Sequence, residues 1–136
     1  MYKGYLLRIG NEAIPDKYIA ESSYYVTPCQ IQDLDSYRDN TGILHRTVVA
    51  NTPSKVEFKT IDGLTNEEMK SLWGIFKRNF TAPEERKAKV TFYVPLDEDY
   101  ITEFMYLKNP KPQIDHIDSN TNTVYYKGLQ FVLTGY

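Results

Sequence analysis

Leu64-Thr65-Asn66-Glu67-Glu68-Met69-Lys70-Ser71-Leu72-Trp73-Gly74-Ile75-Phe76-Lys77-Arg78-Asn79-Phe80 is the one stretch of this chain with a helical period. Met69, Leu72, Trp73, Phe76 and Phe80 fall at i, i+3, i+4, i+7 and i+11, a single apolar stripe. Thr65 is a good N-cap, and Glu68 three residues on completes a capping box, with Leu64 and Met69 spaced as a hydrophobic staple. Lys77 and Arg78 suit the negative end of the helix dipole, and Pro83 stops any continuation. The spacing predicts a helix over 65–80. Gly74 in its middle costs about 1 kcal/mol relative to Ala and points to close packing against a strand.

On both sides of the helix the period changes to two. Val56 and Phe58 alternate with Lys55, Glu57 and Lys59; Ala88, Val90, Phe92 and Val94 alternate with Lys87, Lys89, Thr91 and Tyr93. Further strands are expected at Tyr5–Ile9, Ser23–Thr27, Leu44–Ala50, Tyr100–Leu107 and Leu129–Thr134, and a hairpin at Ile114–Ile117 with Val124 onward. Asn51-Thr52-Pro53-Ser54 reads as the turn of a hairpin joining Leu44–Ala50 to Lys55–Thr60, and Gly128 as room for a bulge. The fold class is therefore mainly β (α+β): an antiparallel β-sandwich or partial barrel with one mid-chain amphipathic helix packed against it. Residues 1–136 read as a single domain.

Composition narrows the function classes. Sixteen basic against eighteen acidic residues give a net charge of −2, which argues against a free nucleic-acid binder or a polybasic membrane-surface protein. A lone cysteine, Cys29, forms no internal disulfide and is expected to plug a small apolar gap. No apolar run approaches the ~20 residues of a membrane helix, and Met1-Tyr2-Lys3-Gly4-Tyr5-Leu6-Leu7-Arg8 lacks a signal-peptide core, so an intracellularly made soluble chain is expected. Twelve tyrosines remain to be explained: the residue favours strands, and it favours interfaces.

Catalytic patterns are not found. His45 and His116 are the only imidazoles, and neither lies in a nucleophile, phosphate-loop or zinc signature. Asp115-His116-Ile117-Asp118 would scatter its polar groups to both faces of a strand, and Asp97-Glu98-Asp99 lacks the spacing of a calcium loop. Both read as solvated turn-flanking residues. No enzyme activity, cofactor or metal is expected.

The segment over about 30–46 reads instead as a protruding arm or loop. Asp33, Asp35 and Asp39 alternate with Arg38 and Arg46, while Leu34, Tyr37, Ile43 and Leu44 are spaced between. Asp39-Asn40-Thr41-Gly42 is turn chemistry. A charged surface hairpin with weak ion pairs would account for the pattern. The reading preferred is a docking arm, in which Asp33, Asp35, Arg38, Asp39 and Arg46 set register with a neighbour while Tyr37 and Leu44 supply contact area.

The run Asp33-Leu34-Asp35-Ser36-Tyr37-Arg38-Asp39 with Gly42-Ile43-Leu44-His45-Arg46 resembles small prophage-encoded tail-region proteins of Gram-positive bacteria. Glu85-Arg86-Lys87-Ala88-Lys89-Val90-Thr91-Phe92-Tyr93-Val94-Pro95 and the opening Gly4-Tyr5-Leu6-Leu7 extend the likeness nearly end to end. The resemblance implies a tail-tube-like architecture and a non-enzymatic structural component of a phage tail: tube, connector or baseplate-proximal subunit. It implies self-association, possible as a ring-type homo-oligomer, or docking to other phage tail proteins, with DNA only as passing cargo. It also implies a virion location after assembly in the bacterial host cytoplasm, and no membrane. It carries no catalytic residues over. The alternatives are a carbohydrate- or ligand-binding β-sandwich module, with Tyr93, Tyr100 and Tyr106 as a stacking platform, or a small phage accessory factor in which His45 or His116 meets a carboxylate in a pocket. Adjacent strand pairs such as Tyr24-Tyr25 and Tyr125-Tyr126 should each expose one ring, and such rings should mark where neighbours bind.

Overall fold

A computed structural model describes residues 1–31, 36–46 and 50–136. In chain order the strands are β1 (Leu7–Ile9), β2 (Glu12–Ala13), β3 (Tyr25–Thr27), β4 (Tyr37–Arg38), β5 (Leu44–His45), β6 (Lys55–Lys59) and β7 (Leu64–Thr65). Helix α1 (Asn66–Asn79) follows, then β8 (Phe80–Ala82), β9 (Lys87–Val94), β10 (Asp99–Leu107), β11 (Ile114–Asp118), β12 (Thr123–Tyr126) and β13 (Gln130–Gly135). The chain is mainly β with this one α-helix.

Eight strands form one antiparallel sheet in the order β2-β1-β9-β10-β13-β6-β3, with β8 also on β9. Its two ends do not pair with each other, so the sheet is an open one and not a closed barrel. The chain between β2 and β3 crosses from one end of the sheet to the other. Ile14 N–H donates to Leu7 O at the start of this span, and Ala20 N–H donates to Lys59 O near its finish. Small sheets β11-β12-β7 and β4-β5 complete the strands.

Alternation decides what the main sheet buries. Leu7, Ile9, Val56, Phe58, Val90, Phe92, Phe131 and Leu133 turn to one face and are essentially inaccessible. Helix α1 covers that face with Met69, Leu72, Ile75 and Phe76. Phe131 stacks at 5.2 Å on Phe58 and at 5.1 Å on Phe76, so three rings run from strand to strand to helix.

The helix starts as its sequence requires: Glu68 N–H donates to Thr65 Oγ1 at 3.3 Å, and Thr65 N–H donates to Glu68 Oε1 at 3.3 Å. It stops at Asn79, before Pro83, because Phe80–Ala82 joins the sheet instead. Gly74 does not meet a strand: a Cβ there would face only the Arg78 guanidinium, at 3.0 Å. Arg78 is engaged elsewhere, donating from Nε and Nη2 to Glu12 at 3.0 and 2.9 Å, which ties β2 to the end of the helix. That pairing and Asn79 hold the Glu12 carboxyl below its ordinary range. Gly10, at φ +59°, passes so near Asn79 that a Cβ would sit 2.5 Å from its Oδ1.

Three expectations need correction. Strand β6 does not form a hairpin with the Leu44 segment, because β3 and β13 occupy its two edges and β5 pairs with β4. The expected Leu44–Ala50 strand ends at His45 within the described residues, and positions 47–49 lie outside them. Gly128 marks a close approach and not a bulge: its N–H donates to Asp62 Oδ1 at 2.7 Å, and a Cβ would stand 2.9 Å from Thr60 O.

Candidate assembly interface

The β4–β5 hairpin is built around one carboxylate. Asp39 Oδ1 accepts from Thr41 N–H at 2.9 Å, Thr41 Oγ1 at 2.6 Å and Ile43 N–H at 3.1 Å. Its Oδ2 lies 2.9 Å from His45 Nε2. The Thr41 hydroxyl first, then His45, lowers the Asp39 carboxyl to about 2. Arg38 Nη1 donates to Gly42 O at 2.9 Å, and Tyr37 stacks on His45 at 4.9 Å with planes 12° apart. Polar atoms inside the turn are thus used up by the turn itself.

The apolar side chains of the same hairpin have no such use. Tyr37 is 60% exposed, Ile43 61% and Leu44 44%, and β4 and β5 pair only with each other among the described strands. Of the seven residues singled out for the arm, Tyr37, Arg38, Asp39 and Leu44 come together here, and Arg46 is exposed at its exit. Asp33 and Asp35 lie outside the described residues. Among the described residues Asp39 bonds backbone and His45, while Arg38 bonds a carbonyl.

The histidines do meet carboxylates, on open surface. His45 pairs with Asp39 and His116 Nδ1 lies 3.1 Å from Asp115 Oδ2, with the His116 side chain 60% exposed. A register shift between Ile114 and His116 breaks the alternation that should have kept Asp115 and His116 apart. Among the described residues no three His, Cys, Asp or Glu side chains gather as metal ligands. Cys29 plugs nothing: it is exposed at φ +46°, where its N–H donates to Ser54 Oγ at 2.9 Å.

Tyrosine placement departs from an outward stacking platform. Tyr93 and Tyr100 are half-buried against each other at 5.4 Å, Tyr2 meets Tyr93 edge-on, and Tyr5 lies 4.9 Å from Tyr100. Tyr100 Oη donates to Tyr5 O at 2.7 Å, and Tyr24 Oη donates to Tyr93 O at 2.7 Å. Burial pushes the Tyr24 phenol above its ordinary range, while a hydrogen bond to Asp16 pushes Tyr2 up to about 12. This cluster clamps residues 2–5 onto β9 and β10. Tyr106 meets Tyr136 edge-on at 5.5 Å. Of the adjacent pairs, Tyr25 is 66% exposed beside a half-buried Tyr24, but Tyr125 and Tyr126 are both half-buried, Tyr125 under His116 at 4.5 Å.

Sequence reasoning missed one cavity. A cleft of about 400 Å³ opens between α1 and the 108–113 segment, lined by Met69, Trp73, Pro110, Pro112 and Phe131. Its signal was Asn109-Pro110-Lys111-Pro112, read only as a break in pairing; both prolines line the cleft.

The chain belongs to a family of unknown function, DUF6711, whose model matches residues 1–136. No curated protein matches it. Among solved structures it is similar to a chain from the tail of an empty GTA particle with C6 symmetry, at 7% identity and TM-score 0.51, covering 100% of this chain and 95% of that one. It is also similar to two chains of an extracellular contractile injection system, PVC. One comes from the sheath/tube terminator, at 15% identity and TM-score 0.42, covering 96% of this chain and 88% of that one. The other comes from the sheath-tube complex, at 13% and 0.43, covering 100% and 87%.

Proposed function

We propose that this member of the DUF6711 family is a non-enzymatic structural subunit of a phage-type tail, which docks to copies of itself or to other tail proteins through the β4–β5 arm. The observation that carries the reading is the arm itself. It presents Tyr37, Ile43 and Leu44 to solvent on a turn whose polar groups are already satisfied. Such a surface is organised before binding, so a partner gains apolar contact without first ordering the loop. The fold shared with a GTA tail chain supports the class of assembly. Under this reading Asp33 and Asp35 flank the arm and set register together with Arg38 and Arg46. The subunit belongs in a virion after assembly in the host cytoplasm, as in prophages of Gram-positive bacteria, and DNA passes it as cargo if it closes into a ring.

Light scattering on size-exclusion fractions, across concentrations and after co-expression with neighbouring tail gene products, tests the reading. Association with itself or with a tail protein is expected, and Leu44→Asp and Tyr37→Ala should abolish it while circular dichroism stays unchanged. A chain that binds no tail component at any concentration overturns the proposal. So does association that both variants leave intact.

A further inference from the structure

The face of the main sheet turned away from α1 has a charge the whole chain does not. Arg8 on β1, Lys87 and Lys89 on β9, and Lys55 and Lys59 on β6 all point there, since their strand neighbours Leu7, Ala88, Val90, Val56 and Phe58 are buried on the other side. Within the strands of that face Glu57 is the one carboxylate among the described residues, and Lys55 holds it at 2.8 Å, while Glu85 at the margin accepts from the Tyr136 hydroxyl at 3.4 Å. Arg8, Lys87 and Lys89 make no ion pair among the described residues.

Register places Arg8, Thr91 and Thr102 side by side in one row across β1, β9 and β10, with Lys89 one pleat along. Together with Gly10 and Asn11 they line a polar depression of about 480 Å³. The Thr91 and Thr102 hydroxyls lie 2.9 Å apart, so one of the two hydrogens bonds the other hydroxyl and the remaining one is available. Only two buried side-chain polar atoms lack a partner among the described residues, Arg8 Nε and Thr134 Oγ1, and both lie on this face. Buried polar groups are ordinarily hydrogen-bonded, so Arg8 carries an unused donor beside the depression, whereas Thr134, three strands away on β13, lies outside it. Lys87 continues the row of cations two residues, roughly 6.8 Å, beyond Lys89, held over the Tyr136 ring at 4.7 Å and the Phe104 ring at 5.1 Å.

We propose that this face binds the phosphodiester backbone of a polynucleotide, with one phosphate seated among Arg8, Lys89, Thr91 and Thr102 and the next approached by Lys87. Guanidinium, ammonium and hydroxyl donors converging on one depression match a phosphate's several acceptor oxygens, and contacts to phosphate carry no sequence information. Binding is independent of sequence and falls steeply with salt. The chain's acidic total hides this, because a net charge averages over all surfaces. The inference does not rest on the tail reading, since a subunit that never assembles still presents the face.

Fluorescence anisotropy with a labelled single-stranded oligonucleotide and its duplex, titrated with the full chain, is the test. Binding is expected at about 50 mM salt, weakening with a slope of about −1.4 in log K against log salt for the two neutralised phosphates on a single strand. Arg8→Gln and Lys89→Gln should each weaken it on the order of tenfold, whereas Lys70→Gln and Lys77→Gln on α1 should not. Circular dichroism keeps folding separate from binding. Absence of binding at low salt overturns the proposal, as does equal loss in the helix variants. Inorganic phosphate that shifts the Thr91 and Thr102 amides while neither oligonucleotide binds also overturns it, and assigns the depression to a small anion.

Discussion

Phe131 links sheet to helix through two stacked rings, and replacing it tests the packing directly. Its ring is 1% exposed and stacks on Phe58 and Phe76 with planes 21° and 14° apart. Phe131→Ala removes a buried ring and leaves a cavity, a change that costs about 3–5 kcal/mol. Two aromatic contacts, each about 0.5–1.5 kcal/mol beyond area burial, place it near the upper end. Because domains of this size hold only about 5–15 kcal/mol in total, Phe131→Leu is the companion variant, expected to lose roughly 1.5 kcal/mol. Urea unfolding followed by the single tryptophan is a suitable assay, since Trp73 sits 6.2 Å from Phe76 and reports on the helix–sheet contact. A double-mutant cycle between Phe131→Leu and Phe76→Leu should show coupling of at least about 0.5 kcal/mol. A loss below about 2 kcal/mol in Phe131→Ala, or no coupling in the cycle, would refute the three-ring account.

Thr65→Ala removes the acceptor for Glu68 N–H and should cost about 1 kcal/mol in the same urea assay; an unchanged midpoint would mean that β7 and β12 fix the helix start without the cap. The hairpin carries its own pH dependence. Asp39 has a folded pKa of about 2 against an ordinary 3.8, so its contribution to the arm is complete above pH 3.8 and lost as pH falls through about 2. The Thr41 and Ile43 amide resonances should therefore hold to near pH 2, and a midpoint at the ordinary carboxylate value would contradict the geometry of the turn.

Where sequence and structure agree, a short-range pattern was sufficient. The capping box, the Met69–Leu72–Phe76 stripe and the Val90–Phe92–Val94 alternation each contain their own answer, since burying one face admits a single orientation. Strand partnership is different. Lys55–Lys59 looks like half of a local hairpin, yet its partners are Gln130–Thr134 and Tyr25–Thr27, a choice made by the whole sheet. Part of the arm was legible because Asp39-Asn40-Thr41-Gly42 dictates a turn; the bonds by which Asp39 builds that turn were not, because side-chain contacts to Thr41 and Ile43 do not show as a charge pattern. Ile75 escaped the helical stripe although it is buried, since α1 is contacted on more than one side by β7, β12 and the main sheet.

Totals over a chain average out the placement that gives them meaning. Twelve tyrosines suggested interface, but Tyr2, Tyr5, Tyr24, Tyr93 and Tyr100 serve the chain's own N-terminal segment, with the Tyr2 hydroxyl on Asp16 and those of Tyr24 and Tyr100 on backbone carbonyls. Subtracting them leaves Tyr25 and Tyr37 as the most exposed rings. Those two stand on β3, an end strand of the main sheet, and on the arm that follows it. Among the described residues β3 pairs only with β6, and an open sheet edge is a surface that proteins ordinarily cover or blunt; neither Lys nor Pro interrupts Tyr25–Thr27. The same subtraction applies to charge. A net −2 excluded a basic protein, not a basic face, because alternation along β1, β6 and β9 sends every second residue to one side, and Arg8, Lys55, Lys59, Lys87 and Lys89 all occupy that phase.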